Sequence, residues 1–380
     1  MWKLLRLFAV AICAAELFPV GGASADFNLK VVDPSGHRID NSALITGIRD
    51  KRAVFVGEEH DRYDNHLGEL EVIRRLHEQD PERWAVGVEF IQRRFQPDLD
   101  SYVEGHINER DFLRKTEYFD RWGFDFRLYR AIFQYARDNH IPMIALNAER
   151  ELSDKVAKSG LDELPSTDRD RIPQQIDKSD TAYRDRLQKV FQQHPNATNG
   201  NFEHFFEAQL VWDETMAQRT SDYLESHPDK AVVVLAGNEH IAWGSGIPNR
   251  VKRRIRGLDA AILLIEDKFD RSHAGAADYF LISNQLKLRP AGAIGLTMNT
   301  SNGTVVAKQI ARGGAAARAG MKAMDRIIAI DGEPVRSIGD VRLALLDKLP
   351  GDVVTLRAER QTPTGEEDLM FQLKLRKPLS

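Results

Sequence analysis

Short apolar segments alternate with amphipathic stretches over the first two thirds of the chain. Five of these segments consist almost entirely of apolar residues: 53–56, 85–88, 142–146, 231–235 and 260–265. A continuous apolar run of this length is typical of a strand that is buried on both faces, as in a parallel sheet covered by helices. The alternation predicts an α/β domain with helices on both faces of a parallel sheet.

The stretches between these segments have apolar residues at helical spacing. One stripe consists of Leu67, Leu70, Ile73 and Leu76, and a second of Leu128, Ile132 and Tyr135. A third helix is predicted over about 202–226, ending where a proline follows His227, because proline does not continue a helix. The charged region 153–200 has a weaker pattern and predicts a helical insertion with a loop at 196–200.

The pattern changes after Glu266. Residues 267–290 read as a connector, and residues 291–376 contain short alternating segments separated by glycines, which predict a small β-rich domain. From residue 291 to the end, 13 Lys and Arg stand against 10 Asp and Glu, whereas the preceding part is acidic. This difference in charge supports a domain boundary between 26–266 and 291–376.

Residues 1–25 read as a secretory signal peptide. Lys3 and Arg6 precede an apolar run at 7–13, and Ala23-Ser24-Ala25 precedes Asp26, as in a cleavage site. An uncleaved N-terminal anchor is the alternative. We therefore expect an exported protein, periplasmic or associated with the cell envelope.

The composition narrows the chemistry available to the exported chain. The single cysteine, Cys13, lies in the leader, so disulfides, iron–sulfur clusters and cysteine-based zinc sites are excluded. With 42% hydrophobic and 29% charged residues, the chain has the usage of a soluble globular protein. Dense Lys/Arg clustering is confined to 250–256, so we expect no nucleic-acid partner.

Polar residues follow four of the predicted strands. They are Glu58, Glu59, His60 and the later His66 after the first strand, Glu89 after the second, Asn147 and Glu149 after the third, and Asn238 and His240 after the fourth. Because the carboxyl ends of parallel strands meet at one edge of the sheet, these groups should lie close together. Histidine with carboxylate can bind a divalent metal or act as a general-base pair. Helix capping or solvent exposure is the alternative for each residue alone.

The third predicted helix places Gln209 and Asp213 on or beside its apolar stripe. A carboxylate on a core-facing helix is costly unless it is paired. Asp213 therefore either reaches the cluster at the strand ends or is a boundary residue with one polar partner, and both interpretations stay open.

These motifs together resemble a known family. Residues from about 40 to 256 are similar to the ChaN-like haem-binding uptake proteins, which belong with the Tiki-type and erythromycin-esterase-type folds. The matching stretches are 56–61 (VGEEHD) with His66, 87–90 (GVEF), Tyr129-Arg130, 144–147 (IALN), 209–213 (QLVWD) with Met216, 235–240 (LAGNEH), and 246–248 (GIP) with Arg250.

The resemblance implies a role in iron uptake by an exported or membrane-associated protein. Haem, or a small iron ligand, would be bound between two copies of the chain with a tyrosine as axial ligand, and a phenolate oxygen suits ferric iron. Tyr129 matches the family pattern, but Tyr63, Tyr102, Tyr118 and Tyr183 are also available. The resemblance alone does not assign the ligand.

The wider superfamily implies a different activity. Some related members are hydrolases that use a glutamate and a histidine after the first strand, some with a divalent metal. In that interpretation Glu59, His60, Glu89 and His240 are catalytic, and His60, Glu89 and His240 hold the metal. The ligand-binding set implied for either activity is Glu58, His66, Tyr129, Asn147, Glu149, Gln209, Asp213, Asn238 and Arg250. A scaffold that only docks partners is a third hypothesis.

Residues from about 291 to 376 resemble a PDZ domain of the kind attached to periplasmic proteases. Ala293, Ile294, Gly295 and Leu296 stand where its carboxylate-binding loop and strand belong, and 313–321 and 325–332 match the following helix, strand and turn. Met324 replaces the usual glycine. The resemblance implies that a peptide or protein C-terminus binds here by adding a strand to the sheet edge.

Overall fold

The computed structural model describes residues 29–193, 201–301 and 303–378. The predicted signal segment at 1–25 and the predicted loop at 196–200 lie outside the described residues. The remaining chain forms two domains, which we call the α/β domain and the C-terminal domain.

The α/β domain is built on one sheet. Its strands are β1 (Lys30–Val32), β2 (Arg38–Ile39), β3 (Ala53–Glu58), β4 (Trp84–Gln92), β5 (Met143–Asn147), β6 (Ala231–Gly237), β7 (Ala260–Glu266) and β8 (Tyr279–Ile282). They are arranged in the order β2-β1-β8-β7-β3-β6-β4-β5. Neighbours from β8 to β5 are parallel, and β1 is antiparallel to β8 and β2. The predicted α/β class is confirmed.

The helices of this domain follow the strands in alternation. They are α1 (Asn41–Ile48), α2 (Tyr63–Gln79), α3 (Gln96–Val103), α4 (Glu109–Lys115), α5 (Tyr118–Arg121), α6 (Arg130–Asp138), α7 (Arg150–Ser159), α8 (Ser166–Arg169), α9 (Thr181–Gln193), α10 (Phe202–Ser226), α11 (Asn238–Ile241) and α12 (Ile247–Arg254). None of the described helices combines the length and the apolar character that a membrane span requires.

The parallel strands are buried on both faces, as their apolar sequences predict. Alternate residues of a strand point to opposite faces, so Val54 and Val56 pack with α1 to α6. Phe55 packs on the other face with apolar residues of α10 and α12. Residues 153–200 contribute α7 to α9, which form a helical layer against α10.

Two strands extend the sheet beyond the sequence pattern. Strand β4 continues to Gln92, past the apolar run at 85–88, and remains buried throughout. Strand β8 lies within 267–290, the segment read as a connector, and pairs with β7. Four residues are too few to show a clear period, so β8 has no distinct signal in the sequence.

The C-terminal domain is a small antiparallel sheet with two short helices. Its strands are β9 (Leu296–Ser301), β10 (Thr304–Ile310), β11 (Arg326–Ile330), β12 (Glu333–Pro334), β13 (Val353–Thr362) and β14 (Gly365–Lys374), and its helices are α13 (Ala315–Arg318) and α14 (Ile338–Ala344). The order is β14-β13-β11-β10-β9, with β12 beside β11. Met324 has a φ of 74°, a left-handed conformation that explains why glycine is usual at this position.

The two domains are packed together. Leu343 and Leu346 of the C-terminal domain are buried in the same core as residues of α4 and α5. Arg130 forms an ion pair with Asp347 at 2.7 Å, and Arg110 forms one with Glu333 at 3.0 Å. Apolar burial at the centre with ion pairs at the rim is the anatomy of a specific interface.

A buried ionic network joins α12 to α10. Arg250 is only 1% exposed, lies 3.2 Å from a carboxylate oxygen of Glu214, and donates to the Gly246 carbonyl at 2.9 Å. Arg253 and Arg254 contact the same carboxylate. Arg250, expected from the resemblance to bind a ligand, is thus placed to hold two helices together.

We predict that Glu214→Gln destabilises the protein by about 3 kcal/mol or more, because it leaves the buried Arg250 guanidinium without its nearest counter-charge. Glu225→Gln, on an exposed position of the same helix, should change the free energy of unfolding by less than about 0.5 kcal/mol. Urea denaturation of both variants makes the comparison. Equal midpoints for the two variants would contradict the assignment.

Candidate functional site

The carboxyl ends of three parallel strands bring together a group of carboxylates and imidazoles. Glu58 ends β3, His60 follows it, Glu89 lies in β4, and His240 lies in α11 directly after β6. His60 Nδ1 is 2.5 Å from Glu58 Oε1, and its Nε2 is 4.0 Å from Glu89 Oε1. His240 Nε2 is 3.4 Å from the same Glu89 oxygen. We call these four residues the Glu/His cluster.

Glu58, and not Glu59, belongs to this cluster. Glu58 shares its side of β3 with Val54 and Val56, so its carboxylate points into the domain and is fully buried. Glu59 follows the strand, its side chain is 57% exposed, and its nearest cation is Arg62 at 3.9 Å. The sequence-based expectation of a catalytic Glu59 therefore does not match its position.

Glu89 is the centre of the charge distribution. Burial alone would raise its pKa, but His240, His60 and the Gly237 amide, which donates to Glu89 at 2.8 Å, lower it to about 2. Burial in turn opposes the charge on His60, but Glu89 and Glu58 outweigh it and raise the pKa of His60 to about 9. Burial raises the pKa of Glu58. At neutral pH Glu89 is therefore an anion flanked by protonated imidazole.

His240 is oriented from α10. Its Nδ1 lies 2.7 Å from Asp213 Oδ1 and 3.2 Å from the Gln209 amide nitrogen. The other oxygen of Asp213 accepts a hydrogen bond from the Tyr183 hydroxyl at 2.8 Å. Burial opposes the charge on His240, but Glu89 and Asp213 raise its pKa well above the usual value. Of the two interpretations of Asp213, the structure supports the one in which it reaches the strand ends.

The backbone of His60 is held by two donors from behind the cluster. The His60 carbonyl accepts from the Tyr129 hydroxyl at 3.0 Å and lies 3.2 Å from His66 Nε2. His66 Nδ1 is 2.8 Å from Glu69, whose pKa burial raises well above normal, while burial lowers the pKa of His66. A protonated Glu69 therefore donates to a neutral His66, which donates onward to His60. His66 and Tyr129 position His60 and do not reach the pocket.

A cavity of about 390 Å³ opens in front of the cluster. Its lining includes His60, Glu89, His240, Asn147 and several residues that sequence reasoning missed: Phe90, Tyr118, Arg121, Trp122, Phe124 and Trp212. The His60 ring contacts Trp122 edge to face at 4.8 Å between centroids and Phe124 at 5.2 Å. This volume is in the range of small-molecule sites.

One segment supplies most of the missed residues. We call residues 117–124 the wall segment, because Tyr118, Arg121, Trp122 and Phe124 line one side of the cavity. The segment lies between α4 and α6 and carries no motif that could have marked it. Trp212 was detectable in principle, because it precedes Asp213 in the quoted stretch.

Other expected ligand residues lie outside the cavity. Glu149 is buried and forms an ion pair with Arg93 at 3.2 Å. Asn238 packs against Gly57, where a Cβ would lie 2.5 Å from the Asn238 side-chain oxygen. Together with Arg250 in its helix-joining network, these residues support the architecture of the strand ends without facing the pocket.

The Glu/His cluster fits a small divalent cation. Glu58, His60 and Glu89 each offer one ligand atom, and the three atoms lie within 4.8 Å of one another. Glu58 Oε2 is buried and makes no hydrogen bond to the described residues, so the carboxylate has an open coordination position. Two hard oxygens with one imidazole are a ligand set that such ions accept. The expected set of His60, Glu89 and His240 overlaps with it in two residues.

Haem ligation by tyrosine does not fit the structure. The sequence contains eight tyrosines, all of them within the described residues, and none is classed as exposed. Burial raises the pKa of Tyr102, Tyr118, Tyr129 and Tyr183. A phenolate ligand requires the opposite shift, so the axial tyrosine implied by the resemblance has no candidate among these four residues.

The C-terminal domain offers a separate groove between β9 and α14. Ile294, Gly295, Leu296, Val341 and Leu345 are among its lining residues, and Ala293 lies at its end. Strand β9 is last in the order of its sheet, which leaves one edge for an added strand. Gly295 has a φ of 79° and lies against Gly314, where a Cβ would be 2.8 Å from Gly314 Cα.

Comparisons with known proteins agree with both domains. A family model described as haem-binding uptake, Tiki superfamily, ChaN matches residues 44–251. A PDZ domain model matches residues 292–375. A search of curated proteins found no match.

Solved structures are similar in fold at low identity. The structure of cofacial haem binding to ChaN of Campylobacter jejuni superposes with a TM-score of 0.55 at 15% identity, covering 67% of this chain and 97% of that one. A mutant of the erythromycin esterase EreC in its open conformation gives 0.38 at 13%, covering 68% and 83%. The HtrA3 PDZ domain bound to a phage-derived ligand gives 0.20 at 19%, covering 22% and 85%.

The family model spans more than half of the chain, from α1 to α12, and includes every member of the Glu/His cluster. The chain belongs to the ChaN family of haem-binding uptake proteins in the Tiki superfamily, with a PDZ domain after it.

Proposed function

We propose that the α/β domain binds a divalent metal ion at Glu58, His60 and Glu89 and uses it to hydrolyse an ester or peptide bond. The observation that carries the proposal is the convergence of three ligand atoms within 4.8 Å, one of them on a buried carboxylate with an unpartnered oxygen. A bound ion would supply Lewis acidity to a carbonyl or water oxygen in the cavity.

The chain's own residues supply proton transfer and orientation. His240 is held by Asp213 at 2.7 Å and borders the cavity, so its protonated ring can donate a proton to a leaving group. Trp122, Phe124 and Trp212 offer apolar surfaces on which a substrate can be oriented. The depth of the cluster behind these rings limits the access of bulk water.

A second candidate function is the binding of haem or a small iron ligand, which the family description favours. Since the tyrosines do not fit, His60 is the candidate axial ligand. Its Nδ1 is paired with a carboxylate at 2.5 Å, an arrangement common for metal-bound histidines. The ring is 27% exposed and has aromatic neighbours. Export, membrane association and the sharing of haem between two copies of the chain stay predictions.

We also propose that the groove beside β9 receives the C-terminus of a peptide or protein partner. The PDZ match, the edge position of β9 and the glycine at 295 support this assignment. Backbone amides of 293–296 would bind the terminal carboxylate, and Ile294, Leu296 and Leu345 would contact an apolar last side chain.

Metal binding separates two adjacent glutamates. We predict that Glu58→Gln weakens Co²⁺ binding by more than about 100-fold, because it removes a ligand and not merely a supporting group. Glu59→Gln is the matched control and should leave the affinity unchanged, since its side chain is exposed. Optical titration with Co²⁺ measures both. Equal affinities for the two variants, or no binding by the unaltered protein, would refute the metal site.

The same titration should depend on pH. The raised pKa of His60, about 9, means that below this pH a proton must leave before the imidazole can bind a metal. The apparent Co²⁺ affinity is therefore expected to rise from pH 6 to pH 9, by about tenfold per unit while one proton is released. An affinity that is flat or falls across this range would show that His60 is not a ligand.

Haemin titration tests the second candidate function. If His60 is the axial ligand, the haemin absorption band should shift and saturate at a stoichiometric ratio, and His60→Ala should abolish the shift. His77→Ala, which alters a histidine on α2 beside Tyr135, is the control. The absence of a saturable shift in the unaltered protein would remove the haem hypothesis and leave the metal site untouched.

A further inference from the structure

The wall segment has a second side, which faces the C-terminal domain. Four of its side chains line the cavity, as described above. The remaining positions contact α14: Phe119 belongs to the same core as Leu343, and the carboxylate of Asp120 and the carbonyl of Gly123 make hydrogen bonds to α14 or its cap. One short segment is therefore both a wall of the pocket and part of the domain interface.

The polar contacts between the wall segment and α14 are specific. The Asp120 carboxylate accepts from the Gly339 amide and from the Ser337 hydroxyl, both at 2.8 Å. The Arg342 guanidinium donates to the carbonyls of Gly123 at 2.9 Å and Phe119 at 3.2 Å. Asp120 thus reinforces the N-terminus of α14, and Arg342 binds the wall segment near its end.

The opposite side of α14 lines the groove of the PDZ domain. Val341, Arg342 and Leu345 face β9 across it. Arg342 therefore takes part in both surfaces: it borders the groove and holds the wall segment. A peptide placed between β9 and α14 must contact the helix that fixes the wall of the pocket.

The wall segment is bounded by two residues in the left-handed region. Glu117 has a φ of 50° and Gly123 a φ of 86°. Glutamate rarely adopts this conformation, and the surrounding structure must impose it. A segment with a strained residue at one end and a glycine near the other can change its backbone angles locally while its neighbours α4 and α6 stay in place.

We propose that the PDZ domain regulates the pocket: a protein C-terminus with an apolar last residue and a free carboxylate binds beside α14, and α14 repositions the wall segment against His60. The inference rests on the proposed function only in taking the pocket as the functional site. By linkage, whatever changes the pocket through this contact also changes peptide affinity by the same factor.

The first test breaks the contact without altering the pocket. In Gly339→Ala the added Cβ would lie 2.3 Å from Asp120 Oδ2, while alanine favours the helix itself. Asp120→Ala combined with Gly339→Ala removes the clash. The full chain labelled with 5-fluorotryptophan gives a ¹⁹F resonance for Trp122, assigned through Trp122→Phe. We expect this resonance to shift in Gly339→Ala and to move back towards its original position in the double variant.

The second test occupies the groove. The peptide Ala-Ala-Ala-Ala-Val is tethered through its N-terminus to Gln309→Cys, an exposed position on the lining, in a chain that also carries Cys13→Ser. The matched control is the same peptide with a C-terminal amide. We expect the free carboxylate to shift the Trp122 resonance, the amide to leave it in place, and Gly339→Ala to weaken the response. The Co²⁺ affinity should change by about fivefold or more.

A Trp122 resonance that stays in place in Gly339→Ala, or when the carboxylate peptide is tethered, would overturn the proposal. Identical spectra with the carboxylate and the amide would do the same. The ¹⁹F readout requires neither metal nor turnover. A shift of Trp122 in a protein that fails to bind Co²⁺ would therefore keep the coupling and reject the proposed metal site.

Discussion

Glu89 is a buried anion that needs two imidazoles, and the arrangement of the strand ends follows from this requirement. It lies between His60 and His240, and each imidazole has a second carboxylate on its far side, Glu58 or Asp213. Charges of opposite sign thus alternate from β3 through β4 and β6 to α10. Removing any member leaves a buried charge without a partner, and the cost of such a charge exceeds that of most core mutations.

This alternation also makes the site suitable for chemistry. A carboxylate with an ordinary pKa and a neutral imidazole would have no distinct acid and base roles in water. Burial and mutual attraction hold Glu89 ionised and His60 and His240 protonated at neutral pH, which separates these roles within one small cavity. A metal entering the cluster would replace protons, so the protonated and metal-bound states are alternatives at the same position.

Much of the architecture was readable from the sequence, because burial on both faces leaves continuous apolar runs. The strand ends also placed His60, Glu89 and His240 correctly at one edge. The choice between Glu58 and Glu59 depended on where β3 ends, since one residue of difference sends a side chain into the core or into solvent. A sequence pattern does not determine a strand end to that precision.

Long-range packing was out of reach for the same kind of reasoning. Trp122 and Phe124 enter the pocket from a segment without a motif, and their positions depend on α4, α6 and the C-terminal domain together. Arg250 followed a family motif, yet its guanidinium lies in a helix-joining network that only the three-dimensional contacts define. The contact of α14 with the wall segment joins residues more than 200 positions apart, which no local period records.

Anomalous diffraction from crystals grown with Mn²⁺ tests the central claim most directly, because it locates the ion without reference to activity. The account predicts an anomalous peak within bonding distance of Glu58, His60 and Glu89. A peak elsewhere, or none at this cluster in crystals grown above pH 8, would contradict it.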